Sequence, residues 1–321
     1  MQKNTILITG GAGFIGSHLV KFMVEKYPHY EIHVIDSLTY AGNLENLKSV
    51  EDKITFHKMD ISLTRFMDSI YELYKFDGVI NLAAETHVDN SIEEPNIFLN
   101  TNIIGTCNLI KNAVKYKSRF LQVSTDEVYG SLQFNDGRTF YEFTPFKPQS
   151  PYAASKASAD LLIDSFVNTY GLNASITHCS NNYGSHQHPE KLIPKTIKCL
   201  KENIQIPIYG NGENIRDWIH VDDHVKALDL VYHTGKMGEH YNVGGGNEFS
   251  NLELVKLICR NYDTLKGFVP GTGARLISFV KDRSGHDLRY SINYDKIYTK
   301  LRWKPEINFS LGIVETIKSY M

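Results

Sequence analysis

Cysteine is scarce and scattered in this chain. Cys107, Cys179, Cys199 and Cys259 are its four, and no two of them form a CxxC pair. That pattern argues against a disulfide scaffold and a thiolate zinc site, and for reduced thiols in a cytoplasm-like compartment. Charge of one sign is missing as well. The net charge is −2, from 34 basic and 36 acidic residues, so no global field draws nucleic acid or a membrane surface. No apolar run approaches the roughly eighteen residues of a spanning helix. Thr5-Ile6-Leu7-Ile8 enters a strand with no charged-then-apolar leader before it. His186-Gln187-His188 has no carboxylate or cysteine cluster beside it and reads as a loop pair without metal. The expectation is a cytoplasmic protein with neither a nucleic-acid nor a membrane partner.

What is present is an ordinary globular composition, 42% hydrophobic and 22% charged over 321 residues. That length holds two core-forming units of roughly 150 residues each. Strand and helix signals alternate through the first half. Strands are predicted at Thr5 to Thr9, Glu31 to Asp36, Ile54 to Met59, Gly78 to Leu82, Phe120 to Ser124 and Ala174 to His178. Helices are predicted at Phe14 to Glu25, Phe66 to Tyr74, Phe98 to Tyr116 and Tyr152 to Tyr170. This β-α-β alternation predicts an α/β fold, a doubly wound parallel sheet of the Rossmann kind. The segment Ser131 to Gln149 reads as a long surface loop, of a length more often functional than decorative. Later, proline and glycine punctuate the chain, and Asn251 to Arg260 reads as a helix. A dinucleotide-binding domain over 1–180 is expected, with a second, smaller α/β substrate domain over 181–321 whose segments return to the large sheet.

Gly10-Gly11-Ala12-Gly13-Phe14-Ile15-Gly16 follows a strand and opens a helix. Gly10, Gly13 and Gly16 let the backbone approach a pyrophosphate, and the helix start at Phe14 and Ile15 offers free N–H groups and a positive dipole end. Asp36 ends the second strand, twenty residues after Gly16. A carboxylate there accepts from both ribose hydroxyls and repels a 2′-phosphate, which favours NAD over NADP. Asp60, with Ile61 behind it, reads equally as an adenine contact or a helix cap. Leu82-Ala83-Ala84 leaves room for a cofactor along the sheet edge.

Ser124-Thr125-Asp126-Glu127 stands where a strand ends and a loop begins, the rim at which open α/β sheets bind ligands. Tyr152 and Lys156 lie four apart after Pro151, which puts phenol and ammonium on one helix face. A nearby ammonium favours phenolate over phenol. Such a tyrosine can take a proton from an alcohol while NAD takes a hydride from the same carbon. The Thr125 hydroxyl can hold the same oxygen. Trp218 and Trp303 read as core residues rather than ligand contacts.

Together these motifs resemble the extended short-chain dehydrogenase/reductase superfamily, and within it the nucleotide-sugar 4,6-dehydratases of the dTDP-glucose type, UDP-glucose-using relatives included. The resemblance runs nearly end to end: GGAGFIG, NLAAETHVDNSI, NTNIIGT, STDEVYG, SPYAASKASAD, HCSNNYG, HPEKLIP, IRDWIHVDDH, YNVGGGNEFSN and DRSGHDLRY. The Thr125-Asp126-Glu127 triplet is the most specific of these, since epimerases of the superfamily generally carry small or hydroxyl residues at the two acids.

The resemblance implies that Tyr152 takes the 4-hydroxyl proton, Glu127 the C5 proton, and that Asp126 protonates the departing 6-hydroxyl. It implies Thr86, Thr125 and Asn181 at the hexose, and Thr101 and Asn182 at the cofactor. Lys191, with Leu192 beside it, Arg216 and Arg283 fall at the pyrophosphate. Pro207, Ile208 and Tyr209 flank the base, and Asn251 and His286 complete the nucleotide site. A homodimer is expected from apolar positions on the long helices after Asn100 and at Tyr152. Ser185 and His188 depart from the pattern, which usually has proline and an aromatic residue there, and Leu265 to Phe279 differs in composition. Both leave the base open between thymine and uracil. The rival readings are an NDP-sugar 4-epimerase or a UDP-glucuronate decarboxylase, which need no acid for a C6 hydroxyl, and a non-catalytic NAD-binding sensor.

Overall fold

The computed structural model describes residues 4–134, 136–283 and 285–321. Asn135 of the long loop and Ser284 of the DRSGHDLRY motif lie outside them. Twelve strands are named here in chain order: β1 Thr5–Thr9, β2 Glu31–Asp36, β3 Ile54–Lys58, β4 Gly78–Asn81, β5 Arg119–Thr125, β6 Ala174–Cys179, β7 Asn181–Tyr183, β8 Ile206–Tyr209, β9 Ile215–His220, β10 His240–Val243, β11 Glu248–Ser250 and β12 Ile277–Val280.

The large sheet runs β3-β2-β1-β4-β5-β6-β10, and its neighbouring strands are all parallel. A parallel sheet is covered on both faces, so its strands read as nearly continuous apolar runs. β1 shows why: Ile6 and Ile8 point into one core and Leu7 into the other, as the two-residue period of a strand requires. The helices Phe14–Lys26 and Val221–Thr234 pack together, and Thr64–Tyr74, Thr106–Tyr116 and Pro151–Tyr170 form a second packed series. Strand order reverses between β1 and β4, which opens a crevice at their carboxyl ends. β10 joins the large sheet from far along the chain, through His240 beside Ile176.

A three-stranded sheet, β11-β9-β7, and a two-stranded sheet, β12-β8, make up the smaller part. They share a separate core with the helices Leu192–Glu202, Asn251–Lys266 and Phe309–Tyr320, built on residues such as Ile197, Ile258 and Ile313.

Two segments differ from the sequence reading. The helix expected over Phe98 to Tyr116 is a short helix Pro95–Phe98, a π-helical stretch Leu99–Gly105 and a helix Thr106–Tyr116. A wide turn of this kind occurs where a side chain must be re-aimed. Here the buried Asn102 donates to the Glu85 carbonyl at 3.1 Å and to Ser155 Oγ at 2.8 Å. The loop over 131–149 is not wholly superficial. Leu132 and Phe140 are buried with Val128, Tyr129, Tyr290 and Ile292 in a small core of their own. Among the described residues, no helix is long and apolar enough to cross a membrane.

Candidate active site

The crevice between β1 and β4 continues into a cleft of about 340 Å³. Its inner end is backbone. Gly10 has a φ of 68°, and a Cβ there would stand 2.7 Å from Ala83 N, so only glycine fits the close approach. A Cβ at Gly16 would fall 2.1 Å from the Gly10 carbonyl oxygen. At Gly13 only that same oxygen lies within 4 Å, at 3.3 Å, so a side chain there would fill the cleft itself. Gly13 caps the helix Phe14–Lys26 without a side-chain hydrogen bond, and no acid occupies the first turn. That leaves the early N–H groups and the helix dipole for an anion.

Asp36 sits at the β2 end of the cleft, almost buried. Its Oδ2 accepts from Ala12 N at 3.0 Å and its Oδ1 from Leu38 N at 2.8 Å. Burial raises its pKa, and those two backbone donors oppose the rise. Asp60 lines the cleft and also accepts from Ser62 N at 2.8 Å, so it serves the turn and faces the cavity. Ile61, Leu82, Ala83, Ala84 and Thr101 line the same wall. A glycine cradle, uncapped helix start and strand-end carboxylate in this arrangement fit a dinucleotide.

Thr125, Asp126, Glu127, Tyr152 and Lys156 meet at the centre of the cleft. β5 carries the threonine to the rim, and a single 3₁₀ turn, Asp126–Tyr129, presents the acids. The helix Pro151–Tyr170 delivers phenol and amine; its cap is Ser150, which accepts from Ala153 N. Asp126 is 2% exposed, and its Oδ2 has no hydrogen-bond partner among the described residues.

The two acids live in different fields. Burial raises Asp126 well above the ordinary carboxylate range, and the charges of Glu127 and Asp217 add to it. Burial leaves Glu127 raised as well, and Asp287 adds to it, while Arg283, Arg216 and Lys191 act to lower it. Both acids are raised, Asp126 the further, so Asp126 is the one its surroundings hold more strongly in the protonated form.

Lys156 shares the helix of Tyr152 and lines the same cleft. Its Nζ donates to the Val123 carbonyl at 2.8 Å. The Tyr152 phenol is raised, first by burial and then by the Glu127 charge. The strand carbonyl thus accepts from the ammonium that shares the cleft with the phenol.

Thr86, Asn181, Asn182, Lys191 and Leu192 also line the cleft. Asn182 is fixed by Ser180 O at 3.0 Å and by His224 Nδ1 at 2.8 Å. Lys191 Nζ donates to the Thr86 carbonyl at 3.1 Å. The remaining predicted residues stand outside this cavity, in the smaller part. Arg216 on β9 lies over the Tyr290 ring at 4.2 Å and donates to the Asp287 carbonyl at 3.0 Å. Tyr209 on β8 donates to Asp89 Oδ2 at 3.0 Å and packs edge-on against His286. Arg283 lies 3.8 Å from Asp89, and its buried Nε has no partner among the described residues. Pro207 is half-buried, whereas the Ile208 side chain is 2% exposed and belongs to the core. Asn251 opens the helix Asn251–Lys266, its N–H bonded to the Asn214 carbonyl.

The sequence reading missed Glu85, Cys179, His188, Glu190 and Trp218 as cleft-lining residues. Trp218 is core as expected, 4% exposed, yet one part of it reaches the cavity. All five sit inside the quoted motifs, which was the available signal. His188 packs edge-on against Tyr40, so an imidazole stands where the pattern has an aromatic residue.

A model of the GDP-mannose 4,6 dehydratase family matches residues 7–316. The chain is 44% identical to the dTDP-glucose 4,6-dehydratase of Haemophilus influenzae, over 98% of this chain and 97% of that one. It is 46% identical to the enzyme of the same name from Salmonella typhimurium, over 98% and 92%. The solved dTDP-glucose 4,6-dehydratase of Streptomyces venezuelae, with NAD and TYD bound, superposes with a TM-score of 0.91 at 42% identity, over 98% of this chain and 96% of that one.

Proposed function

The chain belongs to the GDP-mannose 4,6-dehydratase family, and within it we propose an NDP-glucose 4,6-dehydratase that works on dTDP-glucose. It is an NAD-dependent hydro-lyase whose product is the 4-keto-6-deoxy nucleotide sugar. The observation that carries this reading is the pair Asp126 and Glu127, set with Tyr152 in one cleft, both raised by burial and Asp126 the further of the two. dTDP-glucose is favoured over UDP-glucose because the relatives at 44–46% identity carry that name.

The turn at Gly10, Gly13 and Gly16 and the helix start after it would hold NAD, which would supply a hydride acceptor and donor. Tyr152 takes the 4-hydroxyl proton, with Thr125 holding O4. A ketone at C4 acidifies C5–H, and Glu127, tempered by Arg283 and Arg216, is the base that removes it. Asp126, kept protonated by burial, donates to O6 so that water leaves. Two like groups do opposite work because their surroundings separate them. Glu127 then returns its proton to C5.

Asp36 holds the adenosine ribose, and Thr101 and Asn182 line the cofactor's path. Thr86 and Asn181 face the hexose. Lys191, Arg216 and Arg283 neutralise the pyrophosphate, the orphan Nε of Arg283 being a donor in want of an anion. Tyr209, Pro207, the backbone at Ile208, Asn251 and His286 enclose the base. The enzyme is a cytoplasmic homodimer, supported by Ile97, Ile104 and Leu161, exposed on helices that pack beside one another.

Incubation with dTDP-glucose and UDP-glucose separately, followed by alkaline development of the 4-keto chromophore, tests the function. Colour from dTDP-glucose is expected. Turnover of neither, despite NAD binding, would refute it.

A further inference from the structure

The reaction proposed above, on which this inference rests, needs Tyr152 on a helix and Asp126 and Glu127 past a strand end to keep one spacing. The sheet alone gives that strand end a one-sided hold. β4 pairs with β5 only as far as Asn81 beside Gln122. β6 continues to Cys179 beside Thr125. The last three residues of β5 therefore have a neighbouring strand on one side only.

We propose that Asp160 is a positioning residue, which together with Lys156 grips this strand end and sets where the two acids stand relative to Tyr152. Tyr152, Lys156 and Asp160 lie at four-residue intervals on one face of the helix Pro151–Tyr170, and all three are buried. Lys156 Nζ donates to the Val123 carbonyl at 2.8 Å, and Ser124 Oγ donates to Asp160 Oδ2 at 2.5 Å. Successive turns of the helix thus hold successive residues of β5, and Thr125, Asp126 and Glu127 follow at once. His178 stands directly across from Ser124 on β6, and its Nε2 meets the same Asp160 Oδ2 at 3.3 Å. One carboxyl oxygen therefore ties the helix, β5 and β6 together at the level where β4 has ended.

The donors and acceptors around that oxygen place one proton. Asn242 Nδ2 donates to the Phe140 carbonyl at 3.1 Å, so its Oδ1 is the atom that accepts the Tyr129 hydroxyl proton at 2.8 Å. A phenol has only one such proton. The Tyr129 oxygen must then accept from His178 Nδ1, 3.0 Å away. With Nδ1 the donor, a bare Nε2 would set its lone pair against a fully buried carboxylate, so a proton lies between Nε2 and Oδ2. Asp160 and His178 together carry no net charge. An amide in place of the carboxyl can keep both contacts, its two N–H bonds reaching Ser124 Oγ and a neutral His178 Nε2.

The test compares Ser124→Ala, Asp160→Ala, the double variant and Asp160→Asn, each NAD-loaded and mixed with dTDP-glucose in a single turnover. Nicotinamide absorbance reads oxidation at C4, and the alkaline chromophore reads elimination. The acids ride on β5 and Tyr152 on the helix, so a lost grip should slow elimination more than oxidation. Ser124→Ala and Asp160→Ala should eliminate about tenfold more slowly or worse, with nicotinamide reduction within about threefold of wild type. The double variant should be no slower than Asp160→Ala, because both changes remove one contact. Asp160→Asn should restore elimination to within about threefold of wild type. Ser124→Ala removes a single oxygen and carries the test if Asp160→Ala does not fold. Wild-type elimination by Ser124→Ala, equal losses in oxidation and elimination, losses that add in the double variant, or an Asp160→Asn enzyme as slow as Asp160→Ala overturns the inference and leaves the dehydratase reading standing. Absence of both nicotinamide reduction and keto product in the wild type overturns that reading itself, and the wild-type trace tells the two failures apart.

Discussion

The glycine end of the cleft and the charged cluster outside it, where the smaller part begins, draw their polar groups from different sources. At the first, the donors are backbone: the glycine turn, an uncapped helix start and N–H groups that pin Asp36. At the second, they are side chains from distant parts of the chain, with Asp89, Tyr209 and Arg283 meeting only in the folded state. A backbone site tolerates almost no change of residue, because the atoms that would clash are themselves backbone. A side-chain site can exchange residues one at a time and retune what it binds. Asp126, Glu127 and Tyr152 line the same cleft as the glycine turn.

That contrast yields graded expectations. Tyr152→Phe should lower kcat by about 10³ with NAD affinity nearly unchanged, since it removes an acid–base group and no cofactor contact from the backbone end. Equilibrium NAD titration beside steady-state rates checks it. Gly16→Ala should destabilise the fold by about 1–3 kcal/mol and abolish tight NAD binding, because its Cβ meets the Gly10 carbonyl oxygen at 2.1 Å. Thermal unfolding with and without NAD reads both effects. Arg283→Ala should raise KM for dTDP-glucose about tenfold with little change in NAD affinity, a loss of ~1.4 kcal/mol. A similar loss at the NAD end would erase the contrast between the two.

A further expectation concerns a buried histidine behind the cleft. His224, bonded to Asn182, is depressed to about 3 by burial. The unfolded chain therefore binds the extra proton between pH 6.5 and about 3. Its contribution is fully present above pH 6.5 and falls as pH drops, at about 1.4 kcal/mol per pH unit. His224→Gln should flatten the acid limb of unfolding free energy against pH; an unchanged slope would remove His224 from the account.

The same contrast explains what could be read in advance. Gly10, Gly13, Gly16 and Asp36 were legible because a strand–turn–helix unit is local, and its spacing carries the geometry. Asp126, Glu127, Tyr152 and Lys156 were legible as neighbours on a strand end and a helix face. The π-helical stretch at Leu99–Gly105 was not, since periodicity alone cannot show that Asn102 must turn inward to Glu85 and Ser155. Nor was the Lys156 bond to Val123, which depends on where β5 lies under the helix. Glu85 and Glu190 reach the cleft from separate loops, and only tertiary structure brings them together.

The central claim is that Asp126 serves as the acid of elimination and not of oxidation. Asp126→Asn, mixed with dTDP-glucose in a single turnover, should still reduce nicotinamide at near wild-type speed. Keto-deoxy product should then form ~10²–10³-fold more slowly, so that reduced cofactor accumulates. A variant that fails to reduce nicotinamide at all, while still binding NAD and substrate, would contradict the assignment.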